Sequence, residues 1–177
     1  MRKYIITKLN EEFIELLKKP EVTHDYCSYY SAIVNWIKQN KKYFNENILK
    51  NNKLDVLLKL DPKIYIIDNP EIILSMEAER VGKIKHDKVD TLAMIIGDNL
   101  WNMVTISSGK DCPICRYNEL RYVIAQTEKE RKLVLECENC GWCEYMDGNK
   151  WSDGIAEWIP ASKNDLEEFG IKIPSTK

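Results

Sequence analysis

Through the first hundred residues apolar side chains return mostly at helical spacing, while strand-forming residues gather later in the chain. Asn10 is placed to cap a helix running to Lys19, with Phe13, Leu16 and Leu17 on one face and Pro20 ending it. Asp25 opens a second helix, in which Tyr29, Ile33, Trp36 and Ile37 recur three and four residues apart. Phe44, Ile48, Leu49 and the cluster from Leu54 to Leu60 predict further helix. Asp61-Pro62 should stop it, because proline disfavours helical backbone in the residue before it. Ile64-Tyr65-Ile66-Ile67 reads as a strand. Asn69-Pro70-Glu71 is a helix start, with a capping residue, proline at the first helical position and an acid beside the positive helix end. That helix should reach about Val81 and stop at Gly82. Asp87 opens another, with Val89, Leu92, Ile96 and Leu100 as its core stripe; beyond Gly97, the run from Trp101 to Ile106 also suits a strand.

Ser107-Ser108-Gly109-Lys110 is the expected joint between this helical lobe and the strand-rich remainder of the chain. Leu120 to Thr127 is rich in strand formers, Thr127-Glu128-Lys129-Glu130 is a polar reversal, and Leu133, Val134 and Leu135 lie on the return. Together they predict a hairpin. Near the end, Ser162 and Asp165 have capping-box spacing, and Gly170 is well placed to close the short helix between. Ile159, Leu166, Phe169, Ile171 and Ile173 would be stranded in water unless this tail packed back onto the body. The expectation is an α+β chain: a mainly helical lobe over residues 1–106, a small β module over 107–148, and a C-terminal segment over 149–177.

The hairpin joins the residues with the clearest chemistry. Cys112-Pro113-Ile114-Cys115 precedes it and Cys137-Glu138-Asn139-Cys140-Gly141 comes after it, with 21 residues from Arg116 to Glu136 between. A Cys-x-x-Cys turn aims two sulfurs at one point, and its backbone amides can hydrogen-bond them. Two such turns side by side supply the four thiolates of a tetrahedral metal site: Cys112, Cys115, Cys137 and Cys140. Cys143 extends the second turn into a triple at the same spacing, but four ligands are already present, so it reads as a spare strand thiol. Zinc is the expected metal; a rubredoxin-like single iron would also accept four thiolates. An iron–sulfur cluster is disfavoured, because the longer run of cysteines that bacterial clusters use is absent. Cys27 stands apart, as a small buried residue.

At these two turns the chain resembles the zinc ribbons, over roughly residues 107–148. That resemblance implies three short antiparallel strands around one structural Zn²⁺, with Trp142 to Met146 as the third. It departs from the pattern at Arg116, where many ribbons have glycine. It implies no single function, since such modules serve in transcription, translation, enzymes and scaffolds alike.

Composition narrows the choice. The N-terminal residues contain no apolar leader behind Arg2 and Lys3, and no stretch approaches the ~20 apolar residues of a membrane span. A cysteine set best kept as thiolates and thiols fits a reducing cytoplasm. The Lys-, Asn- and Ile-heavy composition suits an AT-rich bacterial genome. Net charge is −2, and its distribution says more. Residues 1–104 hold 16 Lys/Arg against 15 Asp/Glu, whereas residues 105–159 hold 7 against 10. A module that gripped phosphate backbone would run the other way.

Signs of catalysis are thin. His24-Asp25 and His86-Asp87 are sequence neighbours that do not face each other on a helix, and both acids are better explained as caps. His-Glu-x-x-His, Gly-x-Ser-x-Gly, Walker A and Gly-x-Gly-x-x-Gly are missing. Four thiolates also close a zinc shell, leaving no position for a reactive water. Trp142, Trp151 and Trp158 either fill space around the small β module or form an aromatic anchor rimmed by Glu144, Asp147, Asp153 and Glu157. The leading expectation is therefore a non-enzymatic zinc protein that binds a basic protein partner, in one version an immunity protein blocking a basic nuclease. A nucleic-acid-binding regulator would need Arg116, Arg121, Arg131 and Lys132 on one face. An enzyme would need a pocket converging on His24 or His86.

Overall fold

The computed structural model describes residues 2–65 and 88–172. Seven α-helices, one 3₁₀ turn and an antiparallel sheet of five strands make it α+β among the described residues. They divide into a helical unit (2–63 and 88–103) and a sheet unit (64–65 and 104–172).

In the helical unit, α1 spans Arg2–Leu17. It begins well before Asn10, because Ile6 and Leu9 continue the buried stripe of Phe13 and Leu17. The expected start at Asn10 is thus corrected to the first turn of the chain. α2 spans Tyr26–Gln39 and is capped as expected: the Asp25 carboxylate accepts from the Ser28 amide at 2.9 Å and from its hydroxyl at 2.7 Å. Phe13 lies tilted against Trp36 with ring centres 4.9 Å apart, and Phe44 meets Trp36 edge-on at 5.9 Å. The segment after Phe44 is broken into short pieces: α3 (Glu46–Asn51), α4 (Leu54–Leu57) and α5 (Pro62–Tyr65). Lys53 in left-handed backbone (φ 57°) interrupts the first two, and Pro62 starts the third instead of merely ending what precedes it. Ile64 and Tyr65 are therefore helical, not strand; the rest of that expected strand and the helix expected from Asn69 to Val81 lie outside the described residues.

α6 spans Val89–Val104, which settles the run after Gly97 as helix through Val104. Gly97 sits within that helix because a Cβ there would come 2.4 Å from the Asn52 carbonyl oxygen. Lys53 beside it places its ammonium 3.9 Å from the centre of the buried Trp101 ring.

In the sheet unit, β1 (Ser107–Asp111), β2 (Glu119–Gln126), β3 (Arg131–Glu136) and β4 (Cys143–Tyr145) pair in order, all antiparallel. The hairpin has the expected reversal, its Thr127 amide donating to the Glu130 carbonyl at 2.9 Å. β3 occupies one edge of β2 along its length, from Arg121↔Glu136 to Gln126↔Arg131. The other edge is shared: β1 takes the end near Glu119, and β5 (Glu157–Pro160) pairs from Val123 to Gln126. The tail thus returns as a fifth strand, which periodicity alone did not predict. α7 (Lys163–Glu168) comes next, with the expected capping box between Ser162 and Asp165. Leu166 and Ala161 pack on Ile124 and Leu133, giving this face an apolar core.

Candidate metal centre

Each cysteine pair sits at the end of a hairpin, the first between β1 and β2 and the second between β3 and β4. The two turns repeat the same hydrogen bonds. The Arg116 amide donates to the Cys112 carbonyl at 3.1 Å, as the Gly141 amide does to the Cys137 carbonyl at 2.9 Å. The residue after each second cysteine is left-handed, φ 56° at Arg116 and 69° at Gly141. Arg116 therefore adopts the conformation that glycine takes freely, and the departure from the common pattern does not alter the turn.

These turns aim amides at sulfur. Cys112 Sγ accepts from the Ile114 and Cys115 amides, and Cys137 Sγ from those of Asn139 and Cys140. Cys115 Sγ accepts from the Tyr117 and Asn118 amides and from the Asn139 side chain, so the second turn also supports a sulfur of the first. All four sulfurs lie within 4.8 Å of one another. Cys112 and Cys140 approach to 3.5 Å, Cys115 and Cys137 to 3.6 Å. Tetrahedral zinc with sulfur at ~2.3 Å separates its ligands by about 3.8 Å, so the cluster needs little adjustment to accept the ion.

The sulfurs are electrostatically unlike. The Tyr117 amide, then the Asn139 side chain, bring the Cys115 thiol down to about 6. Burial pushes Cys112 up, but its two amides and the neighbouring sulfurs more than offset this and leave it below its ordinary value. Burial dominates at Cys137, pushed up to about 12. Cys112 and Cys137 are fully buried, Cys115 is half-buried and Cys140 is exposed. A divalent cation would replace the shared protons that otherwise hold such a cluster together.

Cys143 is not in the cluster. It faces Glu136 across the β3–β4 pair, buried, with its thiol pushed up to about 12 by burial and then by the charge of Glu136. Cys27 is half-buried, less enclosed than expected.

No family model, curated protein or solved structure matches this chain. The site must therefore be read from its own chemistry.

A small core lies under the sulfurs: Cys112, Cys137, Leu120 and Leu135, with Trp142 and Tyr122 packed against them. Trp142 is fixed by its indole N–H, which donates to Glu144 Oε2 at 2.9 Å, and the other oxygen of that carboxylate meets Lys110 Nζ at 2.5 Å. Glu144 is only 1% exposed, so its expected place on a solvated acidic rim is corrected: it is a buried counter-ion behind the metal-side core. Glu144 lies opposite Leu135 and two residues from Trp142, so strand alternation carried on from Trp142 is the signal that could have found it. Lys110 had no comparable signal.

The other expected surface residues stay nearer solvent. Asp147 is exposed and accepts from the Asn149 amide and side chain within its own turn, while Asp153 takes an ion pair from Lys132 at 2.6 Å. Glu157 is exposed on β5. Trp151 is half-buried between Tyr145 at 5.2 Å and Trp158 at 5.5 Å. The four cations of the nucleic-acid reading do not share a free face. Arg121 donates to the Thr105 carbonyl and hydroxyl, Arg131 pairs with Asp165, and Lys132 pairs with Asp153 and Glu130. Arg116 sits apart on the first cysteine turn. His24 is exposed, and His86 lies outside the described residues. No described helix is long and apolar enough to cross a membrane.

Proposed function

We propose that residues 107–148 are a zinc ribbon in which Cys112, Cys115, Cys137 and Cys140 hold one structural Zn²⁺, and that the protein acts by binding another protein in a reducing cytoplasm. The observation that carries the zinc reading is the convergence of four sulfurs from two turns of matching hydrogen bonds. The free state of all six cysteines accords with it. When bound, the ion would supply cross-linking and no reaction, because four thiolates complete its shell.

The protein-binding reading rests on a narrower surface than the sequence implied. Trp151 and Trp158 form its aromatic centre, with exposed Asp147 and Glu157 in the same stretch and Asp153 already paired to Lys132; Trp142 and Glu144 instead support the core beneath the sulfurs. Aromatic centres with charged rims are the usual composition of such surfaces, and acids at the rim select a basic partner, such as a nuclease held by its immunity protein. The pairing of Arg121 with Glu138, of Arg131 with Asp165 and of Lys132 with Asp153 and Glu130 argues against a nucleic-acid groove.

Elemental analysis tests the first part: about one zinc per chain is expected, and its absence, or stoichiometric iron, refutes the zinc centre. Capture from a bacterial host lysate tests the second, comparing wild type with a variant carrying Lys at positions 147, 153 and 157. Retention by wild type and loss by the variant supports the rim. Equal retention of one partner by both removes that rim from the proposal, and a nucleic acid eluting in place of a protein overturns the partner class.

A further inference from the structure

Two close sulfur contacts at the metal centre run between the turns and not within one. Cys112 approaches Cys140 at 3.5 Å and Cys115 approaches Cys137 at 3.6 Å, so each close pair links one turn to the other. Each pair also joins a fully buried cysteine to a more accessible one: Cys112 with exposed Cys140, Cys137 with half-buried Cys115. An oxidant arriving from solvent therefore meets Cys140 first, and the sulfur best placed to react next is Cys112. Accessible thiolates with a second cysteine in reach are the ones that oxidise reversibly.

We infer that this centre is a peroxide-oxidation site, in which Cys140 reacts first and buried Cys112 resolves it across the two turns, releasing the metal. The Cys140 thiolate attacks one oxygen of hydrogen peroxide; an S–O bond forms, the O–O bond breaks, and the departing hydroxide leaves as water after taking a proton. The Cys112 thiolate then attacks the Cys140 sulfur; an S–S bond forms, the S–O bond breaks, and a second protonated hydroxide leaves as water. Two electrons pass from the sulfur pair to the peroxide. A second peroxide does the same at Cys115 and Cys137, with Cys115 as the attacking sulfur. Four thiolates, two peroxides and four protons give two disulfides and four waters, and Zn²⁺, its charge unchanged, goes free.

The pairing decides what remains. Bonds between Cys112 and Cys140 and between Cys115 and Cys137 join the β1–β2 turn to the β3–β4 turn where the metal had joined them, so the oxidised module stays closed. Bonds within each turn would close only tiny loops and leave the two hairpin ends unlinked. Metal release by this route is thus reversible: a thiol reductant restores a folded, zinc-binding chain.

The released ion rests on the zinc reading above; the pairing rests only on the sulfur geometry. The test uses the reduced, zinc-loaded full chain treated with hydrogen peroxide, with zinc followed by a metallochromic dye and disulfides mapped by non-reducing proteolysis and mass spectrometry. One zinc should appear for about two peroxides consumed. A dimedone adduct should form on Cys140 at early times, Cys112–Cys140 should precede Cys115–Cys137, and Cys143 should remain a thiol. A Cys143→Ser variant should behave the same, and dithiothreitol with added zinc should restore the starting state. Bonds within a turn, a bond to Cys143, irreversible over-oxidation, or retention of zinc under peroxide that consumes free glutathione would each overturn the inference. Protein isolated without zinc that still forms Cys112–Cys140 would refute the zinc centre and leave the pairing standing.

Discussion

The helical unit and the sheet unit hold together by different means. In the helical unit, stability comes from large apolar side chains: Phe13 and Phe44 both pack on Trp36, and the buried Tyr30 hydroxyl donates to the Leu57 carbonyl at 2.7 Å. At one end of the sheet unit Leu166 and Ala161 pack on Ile124 and Leu133 in an apolar core of the same kind. Its other end buries two cysteines among four core residues and relies on a polar relay from Lys110 through Glu144 to the Trp142 indole. A small β module buries little apolar surface at that end, so a metal held by the four cysteines would take the place of a core there. The difference predicts that metal and packing can be removed separately.

The largest effect should come from loss of the metal. Cys112→Ser or Cys137→Ser, or a strong chelator, should unfold the metal end of the sheet, since structural zinc contributes roughly 10–16 kcal/mol in isolated fingers. Near-ultraviolet circular dichroism of Trp142 should be lost while far-ultraviolet helical signal persists. Cys143→Ser should keep its zinc; loss of zinc there equal to that of Cys112→Ser would mean the ligand set is wrong. Phe13→Ala makes the opposite cut. It should cost about 3–5 kcal/mol by opening a cavity beside Trp36, seen as a lower urea midpoint for the helical signal. Zinc content measured in the same samples should stay at one per chain, and its loss would show that the two units do not stand separately.

The same contrast governs what the sequence revealed. Asp25, the Thr127 reversal and the Ser162 box were legible because each is a local hydrogen-bond pattern completed within four residues. The four-cysteine cluster was legible because the spacing of each pair fixes a turn, and one hairpin joins the turns. Glu144 was legible only by carrying strand alternation on from Trp142, whereas Lys110, which reaches its carboxylate from 34 residues earlier, carried no such signal. Nor was the fifth strand legible, because Glu157–Pro160 is short and is selected by the free edge of β2 rather than by its own composition. The start of α1 was missed by favouring a cap residue over an apolar stripe that had already begun at Ile6.

The two cysteine turns allow a finer comparison, because they share hydrogen bonds and differ at the left-handed position. Arg116→Gly should stabilise the zinc-loaded protein by about 1 kcal/mol, the approximate cost of a side chain in that conformation. Gly141→Ala should cost a similar amount, purely as backbone strain, since a Cβ there would meet no atom within 4 Å. Calorimetric midpoints moving in opposite directions would confirm that backbone conformation, and not side-chain contact, distinguishes the turns. A loss of stability on Arg116→Gly would instead mean that the guanidinium stabilises the sulfur cluster by charge.

The smallest expected effect lies at the far end of the comparison, in the helix cap of α2. The Asp25 carboxyl is held below its ordinary value first by the Ser28 hydroxyl, then by the Ser28 amide, with burial opposing weakly. A depressed carboxyl contributes its full stabilisation above the unfolded value near 3.8, and loses it as pH falls through the lower folded value. Asp25→Asn keeps a capping oxygen but removes the charge. The difference in stability between the two proteins should be constant from pH 7 to about 5. It should shrink below about pH 4, by no more than ~0.5 kcal/mol for a group that is only partly buried. A difference that grows as the pH falls would reverse the sign and show that the neutral form makes the better cap; no change at all would leave Ser28 bonded equally well to either side chain.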